Sequence, residues 1–148
     1  MWIAALIAAL GAIAIVVILT VHIAKSHELD PPAASVLQPL PAGASARATL
    51  RDCPITGRTC RLVVAVDQPD GDAVATVSRS LSGRGWPLVT ARGGARSGCR
   101  TGGKLCAKVW AFADYADAFG LPSGLHVPID AVDELRGHGA VVVVTRTE

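Results

Sequence analysis

Two cysteine loops of the same form constrain the fold of this chain more than any other feature of its sequence. Residues 53–60 read CPITGRTC and residues 99–106 read CRTGGKLC, so both fit C-x-x-x-G-[RK]-x-C at a separation of 46 residues. An apolar run follows each loop, RLVVAV after Cys60 and AKVWAF after Cys106. Internal similarity of this kind is typical of a domain built from two related units.

The similarity continues beyond the loops. A short helical pattern opens on Asp-Ala-Val in each half, at 72–74 and at 130–132, and the segments LSGRGWPLVTAR (81–92) and LRGHGAVVVVTR (135–146) align without gaps. The spacing of the copies grows to 54 residues there, which places an insertion within FGLPSGLHVP. We therefore predict two copies of a loop, strand, helix and strand.

Two successive βαβ units predict an α+β domain of the ferredoxin-like type, in which a four-stranded antiparallel sheet carries both helices on one face. In this arrangement we expect the first and third strands to be antiparallel neighbours, with Cys60 and Cys106 at opposite ends of the sheet. The segment 105–119 permits two interpretations. The repeat alignment favours a strand through Phe112 and then a short helical turn, whereas its apolar residues also fall on one helical stripe.

A charge-free apolar run precedes the cysteine loops. The segment Trp2 to Ala24, WIAALIAALGAIAIVVILTVHIA, contains no Asp, Glu, Lys or Arg. A helix of this length reaches about 34 Å, and the hydrocarbon core of a bilayer is roughly 30 Å thick. We predict a retained transmembrane anchor over residues 1–25. The alternative is a cleaved signal peptide, whose apolar stretch is shorter, about 7 to 15 residues, and ends at a small-x-small site that is not well placed here.

The proline content and the cysteines indicate how the chain is organised after the anchor. Residues 26–46 contain four prolines and no periodic apolar face, which is typical of a semi-rigid, extended stalk. Residues 47–148 are then the folded domain. Lys25 gives little guidance on orientation, but an even number of cysteines in a small domain is typical of an oxidising compartment. We expect this domain outside the cytoplasm, at a cell membrane. The alternative is a cytoplasmic domain with four unpaired thiols.

The spacing of the cysteines indicates a structural role. We expect local disulfides, Cys53 with Cys60 and Cys99 with Cys106, each worth about 2.5 kcal/mol in the chain-entropy description. Thiol redox catalysis usually uses C-x-x-C, and zinc ligand pairs lie two to four residues apart. His126 and His138 are interpreted as isolated surface histidines. No metal, cofactor or catalytic motif is found in the sequence, and G-x-S-x-G is absent.

The charge is unevenly distributed along the chain. The formal net charge of +2 combines −1 over residues 1–46, +7 over residues 47–108 and −4 over residues 109–148. A glycine-rich segment without acids holds five cations: Arg92, Arg96, Arg100, Lys104 and Lys108. Such a loop could hold phosphate, carboxylate or anionic lipid headgroups. The alternative is a solvated hairpin tip. The lack of interleaved aromatic residues argues against nucleic acid as the partner.

The anchor, the proline-rich segment and the duplicated βαβ pattern together resemble the layout of sporulation-related repeat (SPOR) proteins. The resemblance covers residues 61–145 and includes LSGRGWPLV; proteins of that family bind septal peptidoglycan glycan. The chain departs from that family in its cysteine loops and in lacking the glycine-phenylalanine strand ending, so neither a binding residue nor an activity is carried over.

These features favour a non-enzymatic, membrane-tethered binding or assembly module that contacts an envelope polymer, an anionic lipid or another membrane protein. One alternative is a membrane-bound thiol-disulfide oxidoreductase, which needs a labile, exposed disulfide. Another is an accessory subunit whose alanine-rich anchor packs against other membrane helices.

Overall fold

The computed structural model describes residues 29–53, 59–100 and 102–147. These residues form six strands and three α-helices: β1 (Ser45–Asp52), β2 (Thr59–Asp67), α1 (Ala73–Ser82), β3 (Val89–Thr90), β4 (Arg96–Cys99), β5 (Leu105–Ala111), α2 (Phe112–Phe119), α3 (Ile129–His138) and β6 (Gly139–Thr147). The anchor expected at residues 1–25 lies outside the described residues. Among the helices that are described, none has the length and apolarity needed to cross a membrane.

All six strands belong to one antiparallel sheet with the order β1-β2-β6-β5-β4-β3. The α+β class is therefore confirmed, but the expected four-stranded sheet is wrong. Two hairpins supply the additional strands, because β1 pairs with β2 and β4 pairs with β5. The sequence of β4, RSGC, has no apolar alternation of its own, so its place in the sheet comes from the hairpin rather than from a strand pattern.

The prediction that the first and third strands are antiparallel neighbours is also wrong. β6 lies between β2 and β5 and pairs antiparallel with both, so β2 and β5 run parallel to each other. Cys60 is opposite Arg146 and Cys106 is opposite Thr145. Both cysteines therefore lie at the same end of the sheet, which we call the disulfide end.

The helices cover both faces of the sheet, so the prediction of two helices on one face is wrong. Val77 and Leu81 of α1 pack on one face, whereas Phe112 of α2 and Leu135 of α3 pack on the other. The reason lies in the central strands, since residues 62–66 and 140–144 are apolar at consecutive positions and present apolar side chains to both faces. A strand that is buried on both sides needs a cover on each.

Local signals place the helices as expected. The Asp72 carboxylate accepts a hydrogen bond from the Ala75 amide at 3.0 Å and caps the start of α1. The chain passes from β5 directly into α2 at Phe112, which confirms the interpretation of a strand followed by a short helix. α2 ends at Gly120, whose φ of 69° is readily adopted only by glycine.

The strand that the repeat predicts at the end of its first copy, within residues 81–92, is reduced to Val89–Thr90, a two-residue edge strand. Pro87 has no N–H to donate to a ladder, and Trp86 before it is 1% exposed and belongs to the core on the α1 face. The segments 81–92 and 135–146, which align without gaps in sequence, therefore differ in structure. The first contains the short edge strand β3, and the second contains most of the central strand β6.

The segment expected as an extended stalk packs on the domain over its described part. Residues 34–37 form a 3₁₀ turn, and Leu37 is 2% exposed within the core on the α1 face, with Val36 and Leu40 packed around it. β1 begins at Ser45, two residues before the expected domain boundary. Apolar side chains spaced among the prolines explain the difference, because their burial favours docking over an extended spacer.

Candidate ligand groove and its surroundings

A groove of about 420 Å³ lies between the sheet and the last turn of α2. Side chains alternate along β5, so Ala107 and Val109 join the core on the α1 face while Lys108 and Trp110 face α2. The residues that shape the groove chemically are Arg61, Cys106, Lys108, Trp110, Tyr115 and Phe119. The groove therefore combines an aromatic wall, two cations and one disulfide sulfur.

The aromatic wall consists of three rings in mutual contact. The centroid of Trp110 lies 5.2 Å from that of Phe119 and 6.5 Å from that of Tyr115, both in edge-to-face arrangements. Tyr115 and Phe119 are one helical turn apart on α2, with 5.4 Å between their centroids. Tyr115 is buried, whereas Phe119 is 63% exposed. An exposed ring supported by two others is a preformed apolar contact surface.

This aromatic cluster was not predicted from the sequence. The signal that was present is the distribution of aromatic residues, since four of the six in the whole chain lie within residues 110–119. Phe112, the fourth, points into the core at 0% exposure. Side chains alternate along β5 and repeat about every 3.6 residues along α2. The contact of Trp110 with Tyr115 and Phe119 depends on how the strand joins the helix, so neither periodicity alone predicts it.

The two cations of the groove differ in their partners. The Arg61 guanidinium donates to both carboxylate oxygens of Asp52, with Nε at 2.7 Å and Nη2 at 2.9 Å. This hydrogen bonding raises the pKa of Arg61 above its ordinary value. Burial raises the pKa of the nearby Tyr115 phenol, so its hydroxyl stays protonated at neutral pH. Arg61 is thus occupied by Asp52, and the exposed Lys108 is the cation that an incoming anion would meet.

The five cations of the glycine-rich segment do not converge on one surface. Lys108 lies in the groove, but Arg96 is opposite Val109 and so faces α1. Arg96 lines a separate hollow of about 300 Å³ with Arg79 and Ser78.

The remaining three cations of that segment lie apart from the groove. Arg100 stacks on the Trp86 ring at 4.5 Å and donates to the Arg84 carbonyl at 3.3 Å, on the α1 side. Arg92 is exposed in a 3₁₀ turn before β4, and Lys104 is exposed at the tip of the β4–β5 hairpin. The five cations of the predicted anion-binding segment are therefore divided among separate places on the domain.

Both expected disulfides are confirmed. Cys53 is bonded to Cys60 and Cys99 to Cys106, with S–S distances of 2.03 and 2.01 Å. Cys99 and Cys106 are direct cross-strand partners. The register that pairs Asp52 with Arg61 brings Cys53 beside Cys60 in the same way. The shared loop motif is thus a hairpin closed by a disulfide. The two bonds differ in exposure, since Cys60 is fully buried whereas Cys99 is exposed.

His138 is not isolated, contrary to the interpretation from sequence. Its Nδ1 lies 2.8 Å from the carboxylate of Asp67, which is 4% exposed and also accepts from Arg47 at 2.6 Å. Burial raises the pKa of Asp67, but the hydrogen bonds from Arg47 and His138 outweigh it, so the pKa lies below its ordinary value. This cluster lies at the end of the sheet opposite the disulfides, where Asp67 pairs with Gly139.

Comparison of the chain with protein-family models, with curated proteins and with solved structures gave no match.

Proposed function

We propose that this chain is a non-enzymatic, membrane-tethered module at a cell membrane, whose extracytoplasmic domain binds an envelope polymer in the aromatic groove. The observation that carries the proposal is the exposed Phe119 ring, held against Trp110 in a groove that the exposed Lys108 also lines. The apolar run at residues 2–24 supplies the tether. Two disulfide-closed hairpins suit an oxidising location outside the cytoplasm.

The lining of the groove favours a polymer of acidic sugars. The C–H face of a sugar ring offers apolar surface to an aromatic ring, and Phe119 and Trp110 present such rings next to each other. A carboxylate on the sugar would form a charge-assisted hydrogen bond with Lys108.

Binding of a carboxylated oligosaccharide to the full-length protein in lipid nanodiscs tests this proposal. We expect Phe119→Ala and Trp110→Ala each to weaken binding about tenfold or more, as the loss of an aromatic hot spot does. Lys108→Gln should weaken binding of the acid but not of its neutral methyl ester. Lys104→Gln, outside the groove, is the matched control. Equal losses in the control, or equal affinity of the wild type for acid and ester, would contradict the proposal.

The location is tested separately by thiol labelling in intact cells. A membrane-impermeant maleimide should label the cysteines only after reduction, with mass mapping placing the labels at the pairs 53/60 and 99/106. Free thiols that are protected until lysis would place the domain in the cytoplasm and overturn this part of the proposal.

The exposed disulfide supports a second candidate, a membrane-bound thiol-disulfide oxidoreductase. Cys106 lines the groove within a strand that also carries Lys108, and its partner Cys99 is exposed. A nearby cation favours the thiolate form of a released cysteine. Catalytic amounts of the protein should then accelerate glutathione reduction of a model peptide disulfide, and Cys99→Ser should abolish the acceleration. An unaccelerated reaction with the wild type would reject this candidate.

A further inference from the structure

The first described residues of the chain are fixed to the disulfide end of the sheet. The carbonyl oxygen of Leu29 lies 2.9 Å from Cys60 Sγ. Arg51 donates to the carbonyls of Pro31 at 2.9 Å and Pro32 at 3.0 Å. The chain therefore joins the domain at this end, before the segment that reaches Leu37 in the core.

Few residues separate this attachment from the apolar run. The run ends at Ala24, and the five steps from Ala24 to Leu29 extend at most about 18 Å. The hydrocarbon core of about 30 Å is flanked by headgroup layers of roughly 5 to 8 Å each. With residues 2–24 in a bilayer, as the proposed function requires, Leu29 at the disulfide end can lie at most roughly 10 to 13 Å beyond the headgroup layer.

The same end of the domain carries exposed and half-buried cations. We define the basic end as Arg51, Arg100, Lys104 and Arg146. Arg146 also donates to the carbonyl of Asp30, at 3.4 Å.

Acidic residues are unequally divided between the two ends. Asp30 and Asp52 lie beside the basic end, and Asp52 is neutralised by its pair with Arg61. The other end of the sheet carries the Asp67 cluster, and the exposed Asp70 and Asp72 follow directly after β2. The positively charged end of the domain is thus the disulfide end, from which the chain leads back to the proposed anchor.

We infer that the disulfide end of the sheet rests on the bilayer that holds the anchor, with the basic end in contact with anionic phospholipid headgroups. Interactions over less than a Debye length of about 8 to 10 Å are only partly screened at physiological salt. Lys and Arg side chains that lie within a Debye length of an anionic lipid surface are attracted to it. The short connection holds these cations at the surface without a separate binding step.

Hydrogen exchange of the full-length protein in two kinds of nanodisc tests this inference. One kind contains only phosphatidylcholine and the other an equal mixture with phosphatidylglycerol. We expect backbone amides of residues 102–106 to exchange several-fold more slowly in the anionic discs, and those of residues 70–72 to be unchanged. High salt should remove the difference. Equal exchange of residues 102–106 in the two kinds of disc would overturn the inference.

A pair of charge reversals makes the test specific. Lys104→Glu should abolish the lipid-dependent protection, whereas Arg92→Glu, the same reversal at an exposed site before β4, should leave it intact. Equal loss in both variants would assign the effect to net charge and contradict a defined contact surface. Retention of the protein in the discs after carbonate washing reports on the anchor itself. Failure of the anchor is therefore distinguishable from failure of the lipid contact.

Discussion

The ring of Phe119 meets that of Trp110 edge to face, with 5.2 Å between the centroids and 80° between the ring planes. Because Phe119 is 63% exposed, its position is set by this contact and by Tyr115 rather than by burial. This contact joins Phe119, the last residue of α2, to Trp110 on β5, and the two rings form part of one wall of the groove.

The first prediction concerns the stability of this aromatic wall. Phe119→Ala should lower the free energy of unfolding by about 1 kcal/mol, as the loss of an aromatic pair does. Ile129→Ala, at a residue that is 89% exposed, should change it by less than about 0.5 kcal/mol. Urea unfolding of the two variants measures the difference. Equal effects would mean that the contact with Trp110 contributes no stability.

The second prediction concerns acid stability at the opposite end of the sheet. The pKa of Asp67 is lowered in the folded domain, so its stabilising effect is complete above its ordinary pKa of about 3.9 and is lost as the pH falls through the lowered folded value. Unfolding free energies measured from neutral pH downward should fall below about pH 4. Asp67→Asn should be less stable at neutral pH and should lose less stability on acidification. An unchanged acid dependence in this variant would contradict the assignment to Asp67.

The third prediction separates a docked segment from a free stalk. Leu37→Ala should lower the free energy of unfolding by about 2 to 5 kcal/mol, because the side chain is 2% exposed in the core. The neighbouring Gln38→Ala, at an exposed residue, serves as the control and should have little effect. If this segment does not pack on the domain, neither substitution should change the free energy of unfolding measured with heat or urea, and the prediction would be wrong.

The fourth prediction distinguishes the two disulfides. On titration with a reductant, the bond between Cys99 and Cys106 should open before the bond that includes the fully buried Cys60. Alkylation followed by mass mapping gives the order. Replacing Cys99 and Cys106 together by serine should lower stability by about 2.5 kcal/mol. Reduction of the 53/60 bond first would contradict the protection expected from burial.

The fifth prediction uses two glycines with opposite surroundings. A Cβ at Gly98 would collide with the backbone carbonyl of Pro87, so Gly98→Ala should destabilise by about 2 kcal/mol or more. Gly137 lies within α3 with no atom near its Cβ position, and Gly137→Ala should stabilise by about 0.5 to 1 kcal/mol. Thermal unfolding of the two variants should therefore shift in opposite directions, and shifts of the same sign would contradict the close approach of residues 87 and 98.

Local signals in the sequence predicted the elements whose pattern is strong. The apolar runs of β2 and β6, the helical pattern that opens at residues 72–74 and the paired cysteine loops were all found from short stretches of chain. β1 was missed because small and charged residues, SARATLRD, hide the inward positions of Ala48 and Leu50. Strand order could not be predicted, since the pairing of Asp67 with Gly139 joins residues far apart in the sequence. The His138 cluster and the aromatic groove depend on such pairings.

The central position of β6 has a consequence for how the domain is made. β6 is the last described strand, and it pairs with both β2 and β5. Until residues 139–147 have been synthesised, the sheet can consist only of two separate parts, the β1–β2 hairpin and the β3–β4–β5 meander. Each of these contains its own cysteine pair, so oxidation does not need to wait for the native sheet. Closure does need β6, and its pairing with β2 and β5 joins residues that are far apart in the sequence, which is the kind of contact that slows folding.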